Sequence, residues 1–181
     1  MIDILEDTNQ TLFNLAQTQY FFAYIGIASA LVFANLGASY GTAKAAVGIS
    51  SLAVIDKSKI FQGLIPIIMA GILGIYGVII AVIAGSQVKG KAGSLTEMEG
   101  YQYLGAGLAC GLSSLAAGLA IGVAGDAGVR AYAQTDDIFV GMILILIFAE
   151  AIGLYGLIVS IIMIFWALMV SYQIIIEVIL I

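Results

Sequence analysis

Histidine is absent and Cys110 is the only cysteine. Imidazole acid–base catalysis, Cys/His zinc sites and intrachain disulfides are removed together. Carboxylates remain, and one stands apart. Glu150 lies inside Ile143-Leu-Ile-Leu-Ile-Phe-Ala-Glu150-Ala-Ile-Gly-Leu-Tyr-Gly156, and no other charge occurs between Asp137 and Glu177. In a segment this apolar the surrounding medium is lipid, where a carboxylate is costly unless it is paired. No Lys or Arg falls at comparable depth in any apolar segment. Glu150 is therefore expected to be protonated when it faces lipid. It can ionise only where a polar channel or a cation from another subunit meets it. A group neutral in lipid and charged at a polar contact is a workable proton carrier.

The competing role for Glu150 is a protonated acid that bonds a backbone carbonyl and only fixes packing. An ionisable residue inside the membrane is functional by default, so the carrier role leads. Tyr76 and Tyr155 are candidates to donate a hydroxyl to it. Sodium would need several further oxygen ligands. The stretch Ile65-Pro-Ile-Ile-Met-Ala-Gly71-Ile-Leu-Gly-Ile-Tyr76 offers no Gln, Thr or Ser at that level, leaving Ser113 and Ser114 as the nearest candidates. The residues favour protons. No metal site and no cofactor is expected.

Such a site needs membrane-spanning elements to hold it. Of 181 residues, 62% are hydrophobic and 9% charged, against roughly half and a quarter in soluble domains. Six Lys+Arg against eleven Asp+Glu give a net charge of −5, so there is no basic footprint for nucleic acid. Charges are missing between Asp7 and Lys44, Lys59 and Lys89, and Glu99 and Asp126. With the window around Glu150 these fit four spans, 18–45, 58–86, 99–129 and 138–168, each longer than the roughly 20 residues a crossing needs. Lipid leaves helices or closed barrels as the alternatives. The ten-residue alternation of barrel strands is not seen. The expected fold is an all-α membrane protein of four transmembrane helices. Glu150, about 18 Å along the fourth helix at 1.5 Å per residue, falls near the bilayer middle. Residues 1–17 read as a polar lead-in without the basic n-region of a cleaved signal. Residues 87–98 read as a polar loop, and 169–181 as an apolar extension carrying Glu177.

Four spans place both termini and the 87–98 loop on one face, with Lys89 and Lys91. The other face carries Lys44, Lys57, Lys59 and Arg130. Positive charge sets orientation, so loops 46–57 and 130–137 are expected in the cytosol and the termini in the lumen. Lys44, Asp126 and Arg130 read as solvated anchors at cytosolic helix ends. Pro66, the single proline, is expected to kink the second helix, and Cys110 to be a small packing residue.

The chain also repeats itself. Gly37-Ala-Ser-Tyr-Gly41 matches Gly118-Leu-Ala-Ile-Gly122, Ile60-Phe-Gln-Gly63 matches Ile138-Phe-Val-Gly141, and Gly74-Ile-Tyr-Gly77 matches Gly153-Leu-Tyr-Gly156. The offsets are 81, 78 and 79 residues. Collinear matches describe two tandem hairpins, 18–86 and 99–168, entering the membrane in the same direction, unlike an inverted repeat. On this alignment Gly71 stands where the second hairpin has Glu150. The chain then carries one ion site in four helices. Small residues step along one face of the first helix (Gly26, Ala30, Ala34, Gly37, Gly41) and of the third (Gly107, Gly111, Ser114, Gly118, Gly122, Gly125). In lipid such stripes let backbones approach closely. Helices one and three are expected to pack tightly, with two and four toward lipid, as suits either a single bundle or a ring of hairpins. The glycines around Gly105 lack the Gly-Lys-Ser/Thr of a phosphate loop.

These motifs resemble the proteolipid c subunit of the vacuolar-type, proton-pumping rotary ATPase. The resemblance covers roughly residues 20 to 162. It rests on Gly37-Ala-Ser-Tyr-Gly-Thr-Ala-Lys44, Ile65-Pro-Ile-Ile-Met-Ala-Gly71 through Ile75-Tyr-Gly77, Gly122-Val-Ala-Gly-Asp-Ala-Gly-Val-Arg130, and Phe139-Val-Gly-Met-Ile-Leu-Ile-Leu-Ile-Phe-Ala-Glu150. It implies duplicated hairpins in a membrane rotor ring, with helices one and three inside and two and four outside. Partners would be further copies or paralogous proteolipids, a stator subunit whose arginine discharges the glutamate, a central-stalk connection on the cytosolic side, and lipid. The ion-carrying glutamate would be Glu150. The subunit would have no catalytic site of its own and would lie in a vacuolar or other endomembrane. Two features depart from the family: the acidic lead-in, with an Asn9-Gln-Thr11 sequon too near the membrane for use, and the tail from Phe165 to Ile181. The alternatives are a sodium-carrying rotor subunit, a stand-alone channel or carrier, and a structural or fusion-pore proteolipid. One buried acid and no polar file argue against a self-contained pathway.

Overall fold

The computed structural model describes the backbone of residues 2–91 and 95–179, and the side chains of 18–91, 95–166 and Met169. Helix α1 runs Ile2–Ile55. A 3-10 turn, Lys57–Lys59, leads into the short α2, Ile60–Gly63, and α3, Ile65–Gly90. Helices α4, Glu97–Tyr132, and α5, Ile138–Ile179, complete the chain. Four stretches are long and apolar enough to cross a membrane: Thr18–Ile55, Lys57–Gly90, Glu97–Tyr132 and Ile138–Trp166. No strand occurs among the described residues. The fold is the expected all-α arrangement of two hairpins, α1 with α3 and α4 with α5.

Helix ends differ from the sequence expectation where packing overrides local signals. The loop expected at 46–57 shrinks to Asp56 and the 3-10 turn, because Ile49 and Leu52 are buried and hold α1 helical to Ile55. Asp56 then stops the helix. It accepts hydrogen bonds from the Ser58 amide at 2.9 Å and hydroxyl at 2.6 Å, which hold its carboxyl below the usual range. Residues 2–17, expected as a lead-in, have backbone continuous with α1. The Asn9 sequon and Glu177 lie outside the described side chains. The polar loop narrows as well. Helix α3 continues to Gly90, and Thr96 starts α4 in a capping box with Glu99, which satisfies helix-end amides reciprocally. Pro66, expected to kink the second span, does not lie inside a continuous helix. It sits in the first turn of α3, after a break at Leu64, where its missing N–H leaves no bond unmade.

The glycine stripes are the seam between α1 and α4. A Cβ added to Gly37 would lie 2.5 Å from the Ser114 carbonyl oxygen and 2.7 Å from Leu115 Cα. Cβ atoms added to Gly26, Gly111 and Gly118 would meet backbone about as closely, one on Gly41 would lie 2.9 Å from both the Gly118 carbonyl oxygen and Ala70 Cβ, Gly107 lies directly on Gly26, and one on Gly122 would lie 3.1 Å from Gly41 Cα. Half of the most apolar stretch of α4 is buried, against 28% of that of α5. Helix α4 is thus the wall on which the others pack, and α5 is the least buried of the four spans. Cys110 is fully buried on α4. A second set of close approaches was not anticipated. Gly74 and Gly77 let α3 lie against Asn35 and the Ala30 carbonyl of α1, while Gly153 and Gly156 seat α5 against Leu73 and Ser113.

Candidate functional site

Glu150 projects toward α3 from the middle of the Ile138–Trp166 stretch of α5, partly buried beside Ala149. Gly153, one turn further along, lets this approach happen. A Cβ there would lie 2.6 Å from Leu73 Cδ2 and 3.7 Å from Tyr76 Cδ2. The missing side chain leaves room for Leu73, one turn before Tyr76 on α3, and the Tyr76 ring beside it is 9% exposed. That ring delivers its hydroxyl to Glu150, donating to Oε1 at 3.0 Å. Tyr76 is one of the two tyrosines singled out from the sequence. The other, Tyr155, is not brought to the carboxyl. Five residues along a helix is about 140° around its axis, and Tyr155 is 65% exposed on another face of α5.

A phenol suits this carboxyl because it can donate to either protonation state. The described ion pairs lie toward the ends of the bundle, and none includes Glu150. Near one end Asp126 joins Lys44 at 3.1 Å and Arg130 at 2.7 Å. These three were expected to be solvated anchors. Asp126 is instead buried between two cations, because Gly48 brings α1 against the α4 backbone at that residue. Beyond it, Lys59 pairs with Asp136 at 2.5 Å and lies 5.1 Å from the Tyr132 ring centroid. At the opposite end Lys91 pairs with Glu99. Ser113 donates to the carbonyls of Ala109 and Cys110, at 2.7 and 3.1 Å, so its hydroxyl is already engaged.

Sequence reasoning passed over Ser160. Its buried hydroxyl donates to the Ala106 carbonyl at 2.6 Å and the Gly156 carbonyl at 2.7 Å. The first of these bonds ties α5 to α4, and a lone serine in an apolar run was the available signal. At the position matching Glu150 in the first hairpin, a Cβ on Gly71 would meet nothing within 4 Å.

A family model described as the C subunit of ATP synthase matches the chain twice, over residues 25–84 and 104–163. A V-type proton ATPase 16 kDa proteolipid subunit of Chrysotila carterae is 58% identical over 149 residues, 81% of this chain and 91% of that protein. The corresponding 16 kDa proteolipid of Ascaris suum is 54% identical over 143 residues, 79% and 89% of the two chains. That of Nephrops norvegicus is 55% identical over 141 residues, 78% and 88%. The chain belongs to the V-type ATPase proteolipid c family. The double match places one copy of the family's hairpin on α1 with α3 and one on α4 with α5. Within this proteolipid framework Glu150 lies inside the second matched block, and the tail from Ile164 lies outside both.

Proposed function

We propose that the chain is a proton-carrying proteolipid of the membrane rotor ring of a V-type ATPase, and that Glu150 is the group that binds and releases the proton. The relatives named as V-type proton ATPase proteolipids support the rotor assignment. The observation that supports the residue is the pairing of Glu150 with a neutral donor, Tyr76, at 3.0 Å, midway along the apolar stretch Ile138–Trp166. A fixed cation in place of Tyr76 would hold the carboxylate ionised and stop it crossing lipid. A phenol leaves the proton free to leave when a polar path opens. Tyr76 is the supporting residue, and the glycines of the α1–α4 seam hold the inner wall. In this reading the chain supplies no catalytic site of its own, and ATP hydrolysis elsewhere turns the ring. An arginine on a stator subunit would meet each Glu150 in turn. The cationic ends of α1 and α4, with Lys44, Lys59 and Arg130, would face a cytosolic stalk, and the termini the lumen of a vacuole or other endomembrane compartment.

Carbodiimides attack protonated carboxyls in apolar surroundings. The test is carbodiimide labelling of the assembled complex, with and without sodium, located by mass spectrometry. Labelling at Glu150 that is indifferent to sodium and stops ATP-driven acidification is the expected result. Protection by sodium would change the ion, and no label at Glu150 would reduce it to a packing residue.

A further inference from the structure

Helices α1 and α4 run parallel along their glycine seam, and α3 and α5 pack on one side of the pair. The α1 residues that meet the glycines of α3 include Ala30, Ala34 and Ala38. Val32 and Leu36 stand two residues from these, about 160° around the helix, and both are exposed. On α4, Ala117 meets Gly153 of α5, and Leu119, two residues further, is exposed. Exposed Val123 follows Leu119 by one turn and Arg130 follows Val123 by two, which keeps all three on one face. The pair therefore turns an apolar wall away from the outer helices, and a cation ends that wall.

Charge at that end does not balance. Asp126 accepts from Arg130 Nε at Oδ1, 2.7 Å away, and pairs through Oδ2 with Lys44 Nζ at 3.1 Å. One carboxylate serves two cations, and a charge of +1 is left over. The Arg130 side chain is 49% exposed. Its Nε is spent on Asp126, and the N–H groups of its two terminal nitrogens meet no acceptor among the described residues. Depth is informative as well. Gly153 lies level with Ala117, so Glu150 lies level with about residue 120 of α4, and Arg130 stands roughly 15 Å further along. With Glu150 at the bilayer middle, that is the edge of a hydrocarbon core about 30 Å thick, where lipid phosphates begin. Helix α1 continues from Gly48, level with Asp126, to Ile55, and the Lys57–Lys59 turn with Asp136 stands beyond it. The surface open to a stalk is therefore farther out than Arg130.

We propose that Arg130, steered by Asp126 and backed by Lys44, holds the headgroup of an anionic phospholipid of the cytosolic leaflet, whose acyl chains lie along the wall of Val32, Leu36, Leu119 and Val123. The free edge of a guanidinium presents parallel N–H groups that match two phosphate oxygens. A headgroup of net charge −1 cancels the surplus, whereas a zwitterionic one brings its own cation and leaves the surplus standing. Basic residues at the cytosolic face of membrane helices attract anionic lipid for the same reason. This inference rests on the rotor reading above, in which α1 and α4 line the inside of the ring, and adds the lipid selected there.

The test is the lipid that the assembled complex retains through purification in detergent, quantified by mass spectrometry against the membrane it came from. Phosphatidylserine and phosphatidylinositol are the anionic species measured, and phosphatidylcholine the zwitterionic one. The expected result is enrichment of the anionic species in the unsubstituted complex and a several-fold fall in Arg130→Gln, where Lys44 still pairs with Asp126. Lys57→Gln, which removes a cation of the exposed turn, is expected to retain as much as the unsubstituted complex. Retained lipid with the composition of the membrane would overturn the proposal, as would an enrichment that Arg130→Gln leaves intact or that Lys57→Gln lowers equally. An Arg130→Gln complex that sheds its stalk and keeps its anionic lipid would make Arg130 a stalk contact and reject the headgroup. Should Arg130→Gln fail to assemble, Val47→Glu sets an acid on the exposed face of α1 at the level of Asp126 and leaves both ion pairs in place. The same fall is then expected, and unchanged retention rejects the proposal. Native mass spectrometry weighs the ring in the same preparations. A multi-copy ring without anionic enrichment would overturn the headgroup site and leave the rotor, whereas no multi-copy ring would overturn both.

Discussion

In the role proposed for Glu150, a carboxyl that crosses lipid neutral and discharges at a polar contact needs a partner that tolerates both states, and the Tyr76 hydroxyl at 3.0 Å is of that kind. Glu150→Gln keeps the shape and cannot release a proton. Acidification is expected to vanish while the complex assembles at its normal mass by native mass spectrometry. Tyr76→Phe removes one hydrogen bond, worth about 1 kcal/mol net and more toward a charged acceptor. A several-fold fall in ATP-driven acidification is expected, with Tyr155→Phe much closer to the unsubstituted protein. The reverse order in vesicle assays would move the partner to Tyr155. Glu150 was legible in the sequence because an isolated acid in an apolar run has few explanations. The choice between the two tyrosines was not. It depends on which side of α5 the neighbouring helix occupies, a fact of packing that one helix's sequence does not hold.

At the scale of the helix, the glycine stripes were legible because steps of three and four lie on one face, and their role followed from the scarcity of other forces between helices in lipid. Gly37→Ala would drive a methyl to 2.5 Å from the Ser114 carbonyl oxygen. Overpacking of this sort costs about 1–3 kcal/mol, and a lower melting temperature of the detergent-solubilised protein is expected. Gly90→Ala, which meets nothing within 4 Å, is the near-neutral comparison. The end of α1 was less legible. Ala46–Ile55 has no decisive stop signal before Asp56, and burial of Leu52 decided the matter. The same packing turned Asp126 from a solvated acid into the link between Lys44 and Arg130. Asp126→Asn leaves two cations without their carboxylate, and a loss of about 1–3 kcal/mol is expected in the same melting measurement. Lys44→Ala alone should lose less, because Arg130 still satisfies the acid.

At the scale of the molecule, the duplication was read from three short matches, and the double family match bears it out. Gly71 is where the copies part company chemically. Gly71→Glu would restore a carboxyl to an open position, and the expected outcome is a second carbodiimide-labelled residue, at position 71, in the assembled complex. A label confined to Glu150 would mean that the restored acid is not held in a comparable pocket. On the role proposed for Glu150, the glycine also sets a gear. A rotor with one carboxyl per four helices moves half as many protons in a turn as one with a carboxyl in every hairpin. The free energy released by ATP in that turn is then divided among half as many ions. Driving one proton against 100 mV takes about 2.3 kcal/mol. For the same fuel, a rotor geared down by Gly71 can stall against a gradient twice as steep, trading flow for pressure at a single missing side chain.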